Sequence, residues 1–343
     1  MTDPPPRDLR IQAALDAKAK PPGALGRLDA LAARVAAVQG TLQPNPDPAR
    51  VVVFVGDHGV ADHGVSAYPA AVTPAMARTI AAGGAAVSVL ARSCGASVEV
   101  VDVGIDADLA GVAGVVDAKV ARGTQNLACG PAMTAAERDA AWAAGAAAAR
   151  RAAEAGVRTL VPGEVGIGNT TAAAAVLAAL LGWAPEEAVG RGTGVDDDGL
   201  ARKTEAVRAG LAHVPRGPAG DAATLDVLGH VGGFEIAAMA GAFVETPSLG
   251  LVAVVDGFVA TAAAAVAVRH DPAVAGHLVA GHVSAEAAHR RALAALGLTP
   301  ILDLAMRLGE GTGAVLALPI LRAACAVLRE MATLDEALAL EAP

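Results

Sequence analysis

Val51-Val52-Val53-Phe54-Val55 is a continuous, largely β-branched apolar run that ends at Gly56-Asp57. Such a run, closed by a glycine and an acid, is typical of a short strand buried on both faces of a parallel sheet. Similar runs follow at Ser97–Val103, Arg158–Val161 and Gly250–Val255. The sequence therefore predicts several buried strands at intervals along the chain.

Helical segments separate these predicted strands. The clearest of them are Thr73–Ala91, Ala135–Ala155, Thr170–Leu181 and Leu200–Ala212. Strands that alternate with helices favour an α/β fold, in which helices cover both faces of a doubly wound parallel sheet.

The two ends of the chain follow another pattern. Residues 8–19 and about 25–38 can form short helices, and the proline-rich segment Gln43–Pro48 is typical of a linker. From Ser284 onward the sequence is mainly helical, most clearly at Leu316–Ala332. We therefore expect helices before and after the strand-containing part.

Composition disfavours several kinds of partner. The formal net charge is −9 and Lys and Arg form no cluster beyond short pairs, which argues against nucleic-acid binding. The apolar runs are interrupted before they reach membrane-spanning length, and no signal-peptide pattern opens the chain, so we expect a cytoplasmic protein without a membrane partner. The three cysteines (Cys94, Cys129 and Cys325) have no metal-ligand spacing and are interpreted as small apolar residues.

Polar residues follow each predicted strand. They stand at Gly56-Asp57-His58-Gly59, Gly104-Ile105-Asp106, Pro162–Thr171 and Asp256-Gly257. Because ligands of open α/β sheets bind at the carboxyl ends of the strands, we expect these groups to surround one crevice.

The most informative of these segments runs from Pro162 to Thr171. Gly166 and Gly168 allow a ligand to approach the backbone, and Asn169, Thr170 and Thr171 can cap the helix that begins there. The free N–H groups at such a helix start favour a phosphate or a carboxylate, although a glycine turn with a helix cap and no ligand has the same pattern. Glu164 would repel an anion and is better suited to accept hydrogen bonds from ribose hydroxyls.

A second glycine-rich loop, Gly190–Val195, precedes three aspartates at 196–198. The aspartates suggest either a divalent metal or, as we prefer, an N-terminal helix cap. Lys203 lies one turn into the following helix and either folds back over a phosphate or points to solvent.

The histidines do not show a metal-binding pattern. His58 and His63 are five residues apart, as are His277 and His282, and no HExxH motif occurs. Hydrogen-bonding or structural roles are therefore preferred to zinc, and no metal site is predicted.

Glu310 stands between Gly309 and Gly311, just before the last predicted helix. A carboxylate at a buried helix entrance has a raised pKa and can serve as a general base. A helix-capping glutamate has the same spacing, so the spacing alone leaves both interpretations open.

Taken together, the motifs resemble the nicotinate-nucleotide–dimethylbenzimidazole phosphoribosyltransferase family. The resemblance covers nearly the whole chain, in order, through the following segments: Lys20–Gly26, Gly56–Val60, Asp102–Asp106, Gly123–Asn126, Gly163–Thr171, Gly190–Gly194, Val231–Glu235, Asp256–Phe258, His282–Glu286 and Arg307–Gly311.

This resemblance implies a fold, an activity and an assembly. It implies a Rossmann-like large domain, placed here at residues 46–299, and a small helical domain made of residues 1–45 and 300–343. It also implies a homodimer that uses no metal and no redox cofactor. The implied reaction transfers the phosphoribosyl group of nicotinate mononucleotide to 5,6-dimethylbenzimidazole, with inversion at the anomeric carbon.

The resemblance also assigns roles to individual residues. By the family pattern Glu310 is the general base that takes the proton of the benzimidazole, and Glu164 is a second carboxylate near the reaction centre. The expected phosphate- and ribose-binding residues are Gly166, Gly168, Asn169, Thr170, Gly192, Thr193, Gly194, Lys203 and Asp256. The expected base-binding residues are Tyr68, Met76 and Leu308.

The base-binding stretch Ser66–Met76 departs from the family pattern, because some members have small or amide side chains where this chain has Tyr68 and Met76. Tyr68 can stack on the base or simply pack in a loop. The departure leaves the accepted base open, while the reaction class stays the same.

Two other functions are alternatives, and the sequence argues against the first of them. A nucleotide-dependent oxidoreductase needs a GxGxxG fingerprint directly after the first strand, which Gly56-Asp57-His58-Gly59 does not provide. A non-catalytic module that binds nicotinate nucleotide predicts binding without turnover, and composition does not exclude it.

Overall fold

The computed structural model describes residues 7–215 and 221–340. Its centre is a six-stranded parallel sheet with the order β3-β2-β1-β4-β5-β6. The strands are β1 (Ala49–Gly56), β2 (Ala96–Gly104), β3 (Val115–Asp117), β4 (Thr159–Val165), β5 (Val252–Val255) and β6 (Leu278–Ala280). A parallel two-stranded pair lies apart from it, made of β7 (His282–Val283) and β8 (Leu302–Asp303). This Rossmann-like order confirms the predicted α/β class.

Helices surround the sheet. In chain order they are α1 (Arg7–Asp16), α2 (Arg27–Gln39), α3 (Val72–Ala81), α4 (Ala86–Ser93), α5 (Ala135–Glu154), α6 (Asn169–Leu181), α7 (Pro185–Ala188), α8 (Asp197–His213), α9 (Asp221–Val231), α10 (Phe234–Val244), α11 (Thr246–Leu249), α12 (Phe258–His270), α13 (His289–Ala295), α14 (Thr312–Glu330) and α15 (Leu334–Ala339). Short 3-10 helices occupy Gly59–His63 and Pro272–His277.

The central strand shows why the run at 51–55 is apolar throughout. Val51, Val53 and Val55 pack on one face of the sheet with residues of α3, α4 and α14. Val52 and Phe54 pack on the other face, in a core that includes α5, α6, α10 and α12. Both faces are therefore buried, as expected for a parallel strand between two helical layers.

One predicted helix is interrupted. The sequence predicts a single helix over Thr73–Ala91, whereas the structure has α3 and α4 with a break between them. The break contains Gly83, whose φ is +82°, a conformation that glycine adopts without a steric penalty. Because of this break, α4 begins at Ala86, and its first turn contains the fully buried Val87.

Helices from the two ends of the chain, α1, α2 and α14, pack together. Ile11 and Leu15 of α1, Ala32 and Ala36 of α2, and Ala324 and Leu328 of α14 form one buried cluster. The predicted linker contributes Asp47, whose carboxylate lies 2.8 Å from Nε of Arg322 in α14. The division into residues 1–45 with 300–343 and residues 46–299 stays a prediction.

Two segments are long and apolar enough to cross a membrane by length and composition alone, namely Val72–Ser93 and Thr312–Glu330. The first is the pair α3 and α4, which the break at 82–85 divides. The second is α14, and its apolar face is buried against the sheet and against α2. About half of the second segment is buried in the fold and about a third of the first (56% and 33%). Both reach membrane-spanning length, which corrects the expectation that every apolar run is interrupted before that length.

Candidate active site

A cavity of about 350 Å³ opens at the carboxyl ends of β4 and β5. The strand order reverses between β1 and β4, and this reversal is where open α/β sheets leave a crevice for ligands. The cavity wall includes ten of the residues that the sequence predicts for the site: Tyr68, Met76, Glu164, Gly166, Asn169, Thr170, Gly192, Thr193, Leu308 and Glu310. Residues from distant parts of the sequence thus meet at one place.

Glu310 is held in the left-handed region of backbone conformation, with φ +63°. Its neighbours Gly309 and Gly311 have φ +89° and +92°, so the chain makes a tight turn just before α14. The backbone N–H of Glu310 donates to the carbonyl of Glu164 over 3.2 Å. A residue other than glycine in this conformation is strained, and such strain clusters at functional sites.

The Glu310 carboxylate is buried and faces the start of α4. Its Oε2 accepts a hydrogen bond from the backbone N–H of Val87 over 3.2 Å. The sequence left a choice between a general base and a cap of its own helix, but the helix that the side chain caps is α4. Burial raises the pKa of Glu310, Asp256 adds to the rise, and the Val87 hydrogen bond opposes it.

Glu164 lies at the end of β4 beside the Glu310 turn. A side chain at Gly309 would come within 2.3 Å of Oε1 of Glu164, so the glycine makes room for this carboxylate. Burial raises the pKa of Glu164 well above its ordinary value, and the carboxylates of Asp256, Glu235 and Glu310 raise it further. Two carboxylic acids with raised pKa values therefore line one cavity.

The turn after β4 differs from the predicted cap. The N-cap of α6 is Gly168, with φ +98°, and no side chain caps the helix. Asn169 instead donates from its amide to the Glu164 carboxylate. The hydroxyl of Thr170 accepts from Lys203 over 2.9 Å. The expected cap by Asn169, Thr170 or Thr171 is thus wrong, because the first two side chains bond to other residues and none bonds to the helix start.

Lys203 is buried, which excludes the alternative of a solvated surface lysine. Its ammonium lies between Thr170 and the backbone of Gly192, behind the cavity wall. Burial lowers the pKa of Lys203 to about 8. The positive charge thus lies behind the loops that contain Thr170 and Gly192, which the sequence predicts for phosphate binding.

The aspartates before α8 cap that helix. Oδ1 of Asp196 accepts from the backbone N–H of Gly199 over 2.8 Å, as the preferred interpretation predicts. Across residues 7–215 and 221–340, no group of three or more His, Cys, Asp or Glu side chains is arranged to hold a metal ion.

Three further predicted residues, like Lys203, do not line this cavity. Asp256 lies behind the wall, where its carboxylate accepts from the backbone N–H groups of Gly311 over 3.2 Å and Ala314 over 2.9 Å. It therefore fixes the start of α14, and its predicted contact with ribose or phosphate stays a prediction. Gly168 packs against His58, and Gly194 lines a neighbouring cavity of about 440 Å³.

The predicted base-binding residues form one side of the cavity. Tyr68 and Leu308 stand at its mouth, 56% and 57% exposed, and Met76 and Val72 of α3 continue the apolar surface. The Thr193 hydroxyl accepts from the backbone N–H of Ala67 over 3.1 Å, which ties this side to the glycine-rich loop.

Comparison with known proteins identifies the family of the chain. Residues 5–338 match the family model described as DBI_PRT, Phosphoribosyltransferase. The chain is 50% identical to the nicotinate-nucleotide–dimethylbenzimidazole phosphoribosyltransferase of Chromobacterium violaceum, over 97% of this chain and 96% of that protein. The protein of the same name from Thermus thermophilus is 50% identical over 94% and 95%.

A solved structure is similarly close. The crystal structure of CobT from Thermus thermophilus superposes with a TM-score of 0.93, at 49% identity, and covers 97% of this chain and 98% of that one.

The chain belongs to this phosphoribosyltransferase family.

Sequence reasoning missed several residues of the phosphoribosyltransferase cavity as individual candidates. They are Val165, Ile167, Gly257, Phe258, Val259, His282, Ser284, Glu286 and Arg307. Most of them stand in segments that carry the family resemblance, which was the available signal. Arg307 donates to the carbonyl of Gly192 over 3.2 Å and so links the Glu310 turn to the glycine-rich loop.

Several histidines of this phosphoribosyltransferase, among them His58, His230, His277 and His289, take part in hydrogen bonds. Nε2 of His58 lies 2.8 Å from Oε1 of the fully buried Glu235. The ring packs under Gly166 and Gly168, so this pair supports the turn after β4 from behind. The segments at 56–60, 123–126 and 231–235 meet here, because the backbone N–H of Gly59 also donates to the carbonyl of Thr124 over 3.1 Å.

Proposed function

We propose that this enzyme transfers the phosphoribosyl group of nicotinate mononucleotide to 5,6-dimethylbenzimidazole or a related base. The products are α-ribazole 5′-phosphate and nicotinate, and the nucleotide serves cobalamin synthesis. The observation that carries the proposal is the pair of buried carboxylates, Glu164 and Glu310, on one cavity between an apolar side and a glycine-rich loop. The names of the relatives support the same substrates.

The reaction needs alignment and one proton transfer. One ring nitrogen of the benzimidazole attacks the anomeric carbon from the face opposite nicotinate, and the bond to the pyridinium nitrogen breaks. Nicotinate leaves with that electron pair, so its positive ring charge disappears. The proton on the other benzimidazole nitrogen passes to the Glu310 carboxylate. The configuration inverts from β to α.

The environment of Glu310 suits a general base. A carboxylate with a raised pKa holds a proton more tightly and is therefore a stronger base. It accepts the proton only when it is ionised, so the rate should rise with pH through the pKa of Glu310. The Val87 hydrogen bond fixes the direction of the carboxylate.

The other side of the cavity suits the nucleotide. Glu164 can face the ribose or the positive charge that develops at the anomeric carbon. Gly192 and Thr193 offer backbone and hydroxyl donors to the phosphate, and the buried Lys203 supports Thr170 with a positive charge. Tyr68, Met76 and Leu308 would hold the base.

We also propose that the enzyme is a cytoplasmic homodimer that acts on small molecules, needs no cofactor and has no nucleic-acid or membrane partner. The family resemblance supports the dimer, and the net charge of −9 argues against nucleic acid. A non-catalytic binding module would leave the strained Glu310 turn without a use.

A mixture of protein, nicotinate mononucleotide and 5,6-dimethylbenzimidazole tests the proposal. We expect released nicotinate and an α-linked nucleotide, measured by chromatography and by proton NMR at the anomeric position. We expect Glu310→Gln to turn over about a hundredfold more slowly or worse, because an amide cannot accept the proton. The rise of rate with pH should be absent in this variant.

Glu330→Gln is the matched control, since this carboxylate is exposed at the other end of α14. It should keep the wild-type rate and pH profile. A β-linked product, or a Glu310→Gln variant as fast as the wild type, would contradict the mechanism.

A further inference from the structure

A buried pair of ionisable side chains lies behind the cavity wall. Nε2 of His58 is 2.8 Å from Oε1 of Glu235, and the two side chains are 1% and 0% exposed. Among the residues that the structure describes, the second ring nitrogen of His58 and the second carboxylate oxygen of Glu235 have no hydrogen-bond partner. Each side chain therefore depends on the other, because a polar group buried without a partner destabilises the fold.

Glycines from two segments make room for this pair. A side chain at Gly233, before α10, would come within 2.3 Å of Cε1 of His58 and 2.8 Å of Oε2 of Glu235. After β4, a side chain at Gly166 would lie 3.4 Å from Nε2 of His58, and one at Gly168 would lie 3.3 Å from its Cβ. Gly166 also lines the cavity. The imidazole thus packs on the inner side of the turn that forms the wall.

The surroundings favour a charged pair. Glu235 lies in the first turn of α10, where the helix dipole favours a negative charge. Burial lowers the pKa of His58, but the charge and the hydrogen bond of Glu235 and the charge of Asp57 outweigh burial, so this pKa lies above its ordinary value. Below that pKa the pair is an imidazolium beside a carboxylate.

Glu164, on the cavity wall, is surrounded by negative charges. Three carboxylates from three different elements act on it: Asp256 after β5, Glu235 in α10 and Glu310 before α14. Burial raises the pKa of Glu164 most, and these charges raise it further, whereas the amide of Asn169 lowers it. A cation that neutralises one of the three carboxylates would make the ionisation of Glu164 easier.

His58 is placed to neutralise one of these three carboxylates. Asp256 and Glu310 accept hydrogen bonds from backbone N–H groups. Nε2 of His282 stays 3.6 Å from Oδ1 of Asp256, which is longer than a hydrogen bond. Within the described part of the chain, Glu235 is the member of this group that is hydrogen-bonded to an imidazole. One side chain, His58, therefore combines charge compensation with packing under the turn.

We propose that His58 is a positioning residue of the reaction: it offsets the charge of Glu235, so that Glu164 ionises beside the ribose. The same ring holds the Gly166–Gly168 turn against the cavity. The inference rests on the proposed function, which gives Glu164 its place near the anomeric carbon. An ionised carboxylate there accepts hydrogen bonds from the ribose hydroxyls and stabilises the positive charge that develops in the transition state.

Two glutamine variants separate the charge of the pair from its shape. In His58→Gln the amide still donates to Glu235, but the carboxylate charge is no longer offset, so the pKa of Glu164 should rise. In Glu235→Gln that charge is gone, so the pKa of Glu164 should fall. NMR titration of protein labelled at the glutamate carboxyl carbon measures this pKa, and the signal that Glu164→Gln lacks is that of Glu164. Opposite shifts support the proposal, whereas no shift in His58→Gln, or shifts in the same direction, would overturn it.

Kinetics provide a rescue test. With the base saturating, we expect kcat/KM for nicotinate mononucleotide near neutral pH to fall in His58→Gln, by about tenfold for each unit that the pKa of Glu164 rises. Adding Glu235→Gln to this variant should restore most of the lost rate, because the uncompensated charge is removed. A double variant that is slower than His58→Gln would mean that the pair only supports the fold, and would overturn the proposal.

The two measurements distinguish this inference from the proposed function. The NMR titration needs no turnover, so opposite shifts without transfer would support the charge compensation and contradict the reaction alone. Transfer without any shift of the Glu164 pKa would overturn the inference alone. If His58→Gln does not fold, Glu235→Gln must lower the pKa of Glu164 by itself, and any other result overturns the proposal. His213→Gln, at an exposed residue in the last turn of α8, is the control and should alter neither measurement.

Discussion

At the scale of single residues, the buried carboxylate of Glu164 lowers the stability of the folded protein when it is ionised. Glu164 is buried beside Asp256, Glu235 and Glu310, and each of these carboxylates makes its ionisation harder. In the unfolded chain the same side chain ionises near its ordinary pKa of 4.5. The folded state therefore holds the proton more tightly than the unfolded state, which links stability to pH.

We predict that Glu164→Gln makes the protein more stable above neutral pH while it slows catalysis. Below the ordinary pKa both states of the wild type are protonated, so the variant gains nothing there. As pH rises from 4.5 to the raised pKa, ionisation progressively destabilises the wild-type fold, and above that pKa the gap is constant. The gap in unfolding free energy should be on the order of 1 kcal/mol or more.

Urea unfolding across this pH range measures the effect of Glu164→Gln. Glu330→Gln, which changes an exposed carboxylate, should show no comparable change with pH. A variant that is less stable than the wild type at high pH would indicate that Glu164 is ionised without penalty.

At the scale of elements, the close packing of α5 on α10 depends on two glycines, Gly145 and Gly241. The segment Gly145–Arg150 is composed of Gly, Ala and Arg and predicts only a helix. In the structure, a side chain at Gly145 of α5 would lie 1.7 Å from the carbonyl oxygen of Ala238 in α10. A side chain at Gly241 of α10 would lie 2.2 Å from the carbonyl oxygen of Trp142. The two helix backbones touch at these glycines.

We predict that Gly145→Ala destabilises the protein by about 3 kcal/mol or more, because the two helices must separate to admit one methyl group. Gly229→Ala in α9 is the matched control, since the nearest neighbour of its added carbon is 3.7 Å away. That substitution should be neutral or should stabilise by roughly 0.5–1 kcal/mol, as alanine is the better helix former. The urea midpoint of each variant measures this difference. Equal shifts of the midpoint in both variants would contradict the close crossing of α5 and α10.

At the scale of the whole molecule, α14 packs in two hydrophobic clusters and so joins the sheet to the terminal helices. Ala314, Val315, Leu318, Leu321 and Cys325 belong to the core of one sheet face. Ala324 and Leu328 belong to the cluster that α1 and α2 complete. The same helix begins next to Glu310, so one rigid element links the terminal helices, the sheet and the site.

We predict that Leu328→Ala lowers the free energy of unfolding by about 2–5 kcal/mol, the usual cost of a cavity in a packed core. Because α14 takes part in both clusters, unfolding should remain one cooperative transition when followed by circular dichroism and by transfer activity. Leu340→Ala, at a residue that is 85% exposed, should change stability by less than about 0.5 kcal/mol. An early separate transition that leaves activity intact would show that the terminal helices fold as an independent domain.

The sequence by itself determined the class of fold and the place of the site. A short β-branched run such as Val51–Val55, closed by Gly56, favours a strand, and the carboxyl ends of parallel strands lie at one edge of the sheet. The position of Glu310 between two glycines, just before a helix, indicated a candidate base or cap, and the ordered motifs indicated the family. The strands and turns are local features, so neighbouring residues are enough to predict them, whereas the family resemblance depends on the order of motifs along the chain.

Only the tertiary structure decided which groups touch. Glu310 caps α4 rather than its own helix, Asn169 turns to Glu164, and Asp256 serves the start of α14. In each case several donors or acceptors could satisfy the same side chain, and the choice depends on distant segments that folding brings within hydrogen-bonding distance. The pKa values of the buried carboxylates follow from the same contacts, since burial and neighbouring charges exist only after the chain has packed.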